Sequence, residues 1–303
     1  MKTNPTFDEL MLALEQPLKE FNSLIAIRKI SSLIRMIIVL LLILEVVFGD
    51  IFNKFFVIAL LLIIVLWVIV KSSSSKLKKI YKQGIIPSMV EILFEGGVYE
   101  PKMGISGEYV RKHTLLKESN HYTCKDYIEG KVGNASFGLC NIDTWGEFEA
   151  HDADGGDYRR DLLFRGVLCF AFMKRHFDTR ITISPSSGGK SNGGISVDDA
   201  AFERRFAIKA TDEAAVRNIL TPELRKTLLA IPQEITGNLK IQIYEQLFMI
   251  TIEKDKPFFE FNKKMRDIEE ALRVDYAALT TFDSIANDLN NNPYLWPETK
   301  VAH

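Results

Sequence analysis

The chain has 303 residues with 38 Lys+Arg against 39 Asp+Glu, a net charge of −1, so no basic surplus points to nucleic acid. A mean hydropathy of +0.03 in a sequence that is 25% charged means that the apolar residues are gathered in particular stretches. Three widely spaced cysteines, Cys124, Cys140 and Cys169, form no Cys-x-x-Cys pair. That excludes a zinc knuckle or thioredoxin-like site and reads as buried free thiols in a reducing compartment.

Residues 1–30 form an N-terminal cytoplasmic segment. Phe7, Leu10, Met11, Leu14, Leu18, Phe21 and Leu24 recur at spacings of three and four, which predicts an amphipathic helix interrupted near Pro17. Residues 31–70 hold two apolar runs, 33–48 and 55–70. Extended back to Ile30 and Ile51, each approaches the roughly 20 residues that cross a bilayer, and each predicts a transmembrane helix. Gly49, Asp50, Asn53 and Lys54 make the hydrophilic break, so the two helices are antiparallel neighbours. The first run begins too far into the chain for a cleaved signal peptide. Lys19, Arg28 and Lys29 precede the spans, Lys71, Lys76, Lys78, Lys79 and Lys82 follow them, and the link offers Lys54. The positive-inside rule then puts both termini in the cytoplasm. Arg35 and Glu45 are candidate intramembrane polar residues. Each lies close enough to an interface to snorkel, and Glu45 can also pair with Lys54 or organise an oligomer.

Residues 71–98 read as a juxtamembrane helix, with Ser72 to Ser75 as a polar joint, Leu77, Ile80, Tyr81, Ile85, Ile92 and Leu93 as its apolar stripe, and a kink at Pro87. Residues 99–290 form the main domain, entered past Gly96, Gly97 and Pro101. Ser106 caps a short helix toward Leu116. A hairpin follows, 122–132 and 135–142 about a Gly133-Asn134 turn, then strands at 162–172, 180–184 and 204–210. Asp212 caps a helix at 213–219, and Thr221 caps another that begins at Pro222. Runs at 239–244 and 247–253 predict a second hairpin, and 262–288 a long final helix. Strands followed by helices without a βα repeat indicate an α+β fold: a transmembrane helical hairpin, then a cytoplasmic domain with a mainly antiparallel sheet. In the tail, 291–303, Tyr294, Leu295 and Trp296 are either a docking peptide for a partner or a segment folded back on the domain.

Two stretches spell a family pattern. One is Phe164-Arg165-Gly166-Val167-Leu168-Cys169-Phe170, continuing through Lys174, Phe177, Thr182 and Pro185. The other is Phe202-Glu203-Arg204-Arg205-Phe206, then Thr211-Asp212, then 217–222. Over roughly residues 75–290 the chain resembles an uncharacterised bacterial two-helix inner-membrane family, domain of unknown function 3137. The resemblance implies a bacterial inner membrane and brings no activity with it. The motif residues themselves read as a strand, an aspartate cap and a Thr-Pro helix start.

No catalytic, cofactor-binding or metal-binding constellation emerges. Residues 184–191 end in Gly-Lys-Ser like a phosphate-binding loop, but Ser184 stands where the first glycine belongs and Asn192-Gly193-Gly194 where a helix must begin. Residues 151–157 offer oxygen ligands without EF-hand spacing. His113, His121, His151, His176 and His303 lack metal-ligand spacing. The expectation is a membrane-tethered, non-enzymatic interaction or regulatory module, partnered by the lipid bilayer and by another protein or itself. The alternative is a membrane-bound enzyme or nucleotide-binding protein using the Gly188–Gly194 loop.

Overall fold

The computed structural model describes residues 4–48, 53–113, 116, 119–150, 157–186, 194–231, 238–260 and 268–297. Two compact units divide the chain: one holds residues 5–89 and 261–267, the other 1–4, 90–260 and 268–303.

The first unit is helical. Helix α1 (Phe7–Ala13) starts at a capping box, in which Thr6 Oγ1 accepts from the Glu9 amide and the Glu9 carboxylate accepts from the Thr6 amide. Leu14 breaks it, and α2 (Glu15–Phe48) begins two residues ahead of Pro17, where the break was expected. The proline therefore sits in the first turn of α2, where a missing N–H costs nothing. Helix α3 (Asn53–Ile80) returns alongside α2. The Phe21 and Tyr81 rings lie 6.3 Å apart near the ends remote from the 48–53 link, so α2 and α3 are antiparallel. Around that contact Leu10, Leu14, Phe21, Leu77, Tyr81 and Ile85 are buried.

Two expectations are corrected here. Ser72 to Ser75 are no joint: they continue α3, and Ser74 Oγ donates to the Val70 carbonyl, a bond that lets serine stay inside a helix. The irregularity falls just ahead of Pro87 as a π-helical turn, Tyr81–Ile85, before α4 (Ile86–Leu93). One inserted residue lets the Ile86 amide reach back to the Tyr81 carbonyl and absorbs the donor that Pro87 lacks.

The second unit is built on a six-stranded antiparallel sheet with helices, an α+β fold. Strand β1 (Glu95–Glu100) runs through Gly96-Gly97, which the sequence marked as punctuation; the positive φ of Gly96 (62°) makes the register shift that admits them. Ser106 Oγ accepts from the Tyr109 amide at the start of α5 (Gly107–His113). The hairpin of β2 (His121–Val132) and β3 (Ala135–Ala150) turns at Gly133, as expected, and β3 extends eight residues beyond Ile142.

Strand β4 (Asp157–Pro185) is one long strand where the sequence suggested two. It pairs with β3 up to Phe172 and with β5 (Phe206–Lys209) from Thr182, both on one side, while β6 (Asn238–Glu253) takes the other. Strand β6 is likewise single, with Glu245 at φ 53° where a hairpin turn was expected. Helices α6 (Ala200–Arg205), α7 (Glu213–Ile219) and α8 (Pro222–Ala230) follow their aspartate and threonine caps. Helix α9 (Ile268–Asn291) buries Leu272, Leu279, Phe282 and Ile285, and its Asn290 side chain accepts from the Asn134 amide in the β2–β3 turn.

Candidate functional site

The most concentrated polar chemistry in the second unit surrounds Asp126. It sits in the bulge of β2 between Lys125 and Ile128, with φ 59°, and is fully buried. Aspartate tolerates that left-handed backbone better than most residues. Its carboxylate accepts from the Tyr99 hydroxyl at 2.6 Å and from Asn141 Nδ2 at 3.0 Å. Asn141, on β3, imitates a peptide group toward the turn after β6: Nδ2 donates to the Phe258 carbonyl at 2.7 Å, and Oδ1 accepts from the Phe258 amide at 3.1 Å. The next amide, Phe259, donates to Asp275 of α9. Lys254 lies over the Phe258 ring, 3.9 Å from its centroid.

Burial dominates the electrostatics. It pushes the Tyr99 phenol far up, helped by the Asp126 charge, so Tyr99 keeps its proton and remains a donor. It also lowers Lys254, with Asp275 opposing. Each buried oxygen and amide named here has a partner, so the arrangement locks β1 and the 254–260 turn onto β2 and β3. The sequence reading missed this network. Its one signal was polar Asp126 and Asn141 inside otherwise strand-like runs.

The tail residues behave as part of the domain. Leu295 is fully buried in a 3₁₀ turn, Pro293–Leu295, capped by Asn292. Tyr294 lies beneath the Arg175 guanidinium and near Phe177, and Trp296 Nε1 donates to the Leu289 carbonyl. Asn292 Nδ2 bonds the Asn218 carbonyl at the end of α7. Of the two readings of this segment, the structure displays the fold-back. Arg35 is half-exposed on α2, edging a shallow hollow with Lys29, Ser32, Leu33, Met36 and Val39. Glu45 falls in the last turns of α2, with its side chain outside the described residues. Residues 187–193, which make up the Gly-Lys-Ser loop up to Gly194, and residues 151–156 of the acidic loop also lie outside the described residues. Among the described residues no three His, Cys, Asp or Glu converge to hold a metal ion.

Residues 162–291 match the model of a protein family of unknown function, DUF3137. The match runs from β4 to the end of α9, narrower than the 75–290 stretch that the motifs suggested. It includes neither long apolar helix.

Within the matched segment the motif residues hold the fold. Arg165 forks onto Asp143 across the β3–β4 pair at 3.0 and 3.1 Å. Arg205 bonds the Leu229 and Ile231 carbonyls at the end of α8. Arg225 grips the Asp199 carboxylate, which also caps α6. No curated protein sequence matches the chain. Among solved structures, the mycobacterial trehalose monomycolate transport factor A aligns with a TM-score of 0.34 and 9% identity, over 70% of this chain and 93% of that one. A score that low carries no argument about fold or function.

Proposed function

We propose that this protein is a membrane-tethered, non-enzymatic interaction or regulatory module, with α2 and α3 spanning a bacterial inner membrane and both termini in the cytoplasm. One observation carries the reading: along the apolar stretches of both helices, large apolar side chains face outward. On α2, Leu33, Met36, Leu40 and Leu41 are 53–63% exposed, and on α3, Ile58, Leu61, Val65 and Trp67 are 51–57% exposed. Soluble monomers rarely expose apolar patches beyond a few hundred Å², whereas lipid covers such a surface without cost.

Among the described residues one helix, Ile58–Leu93, is long and apolar enough to cross a membrane, with a mean hydropathy of 2.2 and 6% of that window buried. Helix α2 supplies the second proposed span. The antiparallel pairing brings Arg28 and Lys29 to the same end as Lys71, Lys76, Lys78 and Lys79, the arrangement that the positive-inside rule favours on the cytoplasmic face. The DUF3137 domain would then present its surface to a partner, or to a second copy of the chain, beneath the bilayer.

Alkaline extraction of membranes, followed by maleimide labelling of single cysteines placed at Asp50 and near the C-terminus, tests this. The expected result is retention in the pellet, with labelling of position 50 from outside and of the C-terminus only after permeabilisation. Release into the alkaline supernatant would sink the proposal. Crosslinking in native membranes then identifies the partner, and self-crosslinks alone would favour assembly over recruitment.

A further inference from the structure

Cys124 on β2 and Cys140 on β3 meet on one face of the sheet. Cys124 pairs with Ile142, two residues from Cys140, so the two thiols are diagonal neighbours on adjacent strands, and their sulfurs are hydrogen-bonded. The Ile105 backbone bonds both sulfurs. Cys140 is fully buried among Ile142, Leu168 and Met249, whereas Cys124 is half-buried at the edge of that cluster. The 104–107 segment presses on β2 so closely that a Cβ on Gly104 would lie 2.2 Å from Cys124 Cβ, and one on Gly107 2.8 Å from the Tyr122 ring. Cys169 pairs with Leu139, one residue out of step with Cys140, and so points to the opposite face.

From this geometry we propose that Cys124 and Cys140 form a dithiol modification site for small hydroperoxides, with Cys124 as the attacking thiol and Cys140 as the resolving one. This goes beyond the membrane reading and does not depend on it. Cys124 is the less buried of the two thiols, so a small oxidant meets it before Cys140. The Cys140 S–H donates to Cys124, which lowers the Cys124 thiol and raises that of Cys140, so Cys124 ionises first; burial and the Asp143 charge oppose this.

In the first step the Cys124 thiolate attacks the peroxide. A sulfur–oxygen bond forms, the O–O bond breaks, and water or an alcohol leaves carrying a proton. In the second, the Cys140 sulfur attacks the sulfenic acid, the disulfide forms, and the displaced oxygen leaves as water with the Cys140 proton. The thiols lose two electrons and the peroxide gains them. Diagonal neighbours on antiparallel strands stand about 7–8 Å apart, beyond the usual disulfide span of about 4.4–6.8 Å. Closing the bond therefore pulls on the bulge at Lys125–Ile128, next to Asp126. Such a bond is readily reduced by small thiols, which suits a reversible mark.

The test treats the full-length protein in detergent with stoichiometric hydrogen peroxide, then maps disulfides under non-reducing conditions. The expected product is an intramolecular Cys124–Cys140 link, reversed by a small thiol, with Cys169 still alkylatable after denaturation. Cys140→Ala should slow alkylation of Cys124 about tenfold, the worth of a hydrogen bond to a charged acceptor. Cys140→Ser should restore that rate while stopping at a dimedone-reactive sulfenic acid. If the wild type shows no link, or if Cys124 proceeds to sulfinic acid while Cys140 remains alkylatable, the proposal is overturned.

Discussion

A buried side chain either finds partners or shifts its ionisation, and Asp283 on α9 does both. Burial raises its carboxyl above the ordinary value, while hydrogen bonds from Asn4 at 2.7 Å and Asn287 at 3.3 Å pull it back. An acid whose folded-state pKa is raised supports the fold below its unfolded value, and that support is lost as pH rises through the folded pKa. Asp283→Asn keeps an acceptor for Asn4 and removes the buried charge. It should therefore stabilise the domain by about 0.5–1 kcal/mol at neutral pH and make no difference below about pH 4. Urea melts of both forms at the two pH values check this; a destabilised variant at neutral pH would show that the charge strengthens the Asn4 tie more than burial weakens it.

The elements depend on a few backbone approaches that side-chain patterns do not announce. Gly166, in the Phe-Arg-Gly stretch, lies where a Cβ would come within 1.9 Å of the Ile252 carbonyl oxygen. That glycine lets β4 and β6 pair closely, and β4 cannot yield because β3 holds it from the other side. Gly166→Ala should cost about 3 kcal/mol. Gly84 in the π turn has nothing within 4 Å, so Gly84→Ala should leave stability within about 1 kcal/mol of the parent. Thermal melts of the two variants should separate them; equal effects would mean that the β4–β6 approach is looser than it looks.

For the molecule as a whole, the tail decides whether residues 291–297 close the domain or wait for a partner. Leu295 is fully buried and Asn292 ties the tail to α7. Leu295→Ala should destabilise the domain by about 3 kcal/mol, as large-to-small changes at filled core positions do. Hydrogen exchange would then rise in α7 and at the C-terminal end of α9 together. A variant of unchanged stability that had lost a crosslinked partner would instead make this segment a docking peptide.

Local signals were read correctly at the helix caps and the tight turn. The caps at Ser106, Asp212 and Thr221 and the Gly133 turn stand where the sequence puts them, because a cap satisfies amides only two or three residues away. The α+β class and the antiparallel sheet were legible in the same way, from period-two runs without βα alternation. Strand continuity was not. The breaks expected in β4 and β6 follow local polarity, yet each strand is held across its polar stretch by pairing on both sides of it, a contact between residues tens of positions apart. The Asp126 network and the facing of Cys124 on Cys140 had the same origin. Their partners come from β1, β2, β3, the turn after β6 and the 104–107 segment, and only the register between strands brings them together. The sequence by itself determined which stretches are apolar, where helices start and which turns can form. Tertiary structure decided which polar groups meet, because burial and strand register are set by the chain's distant parts.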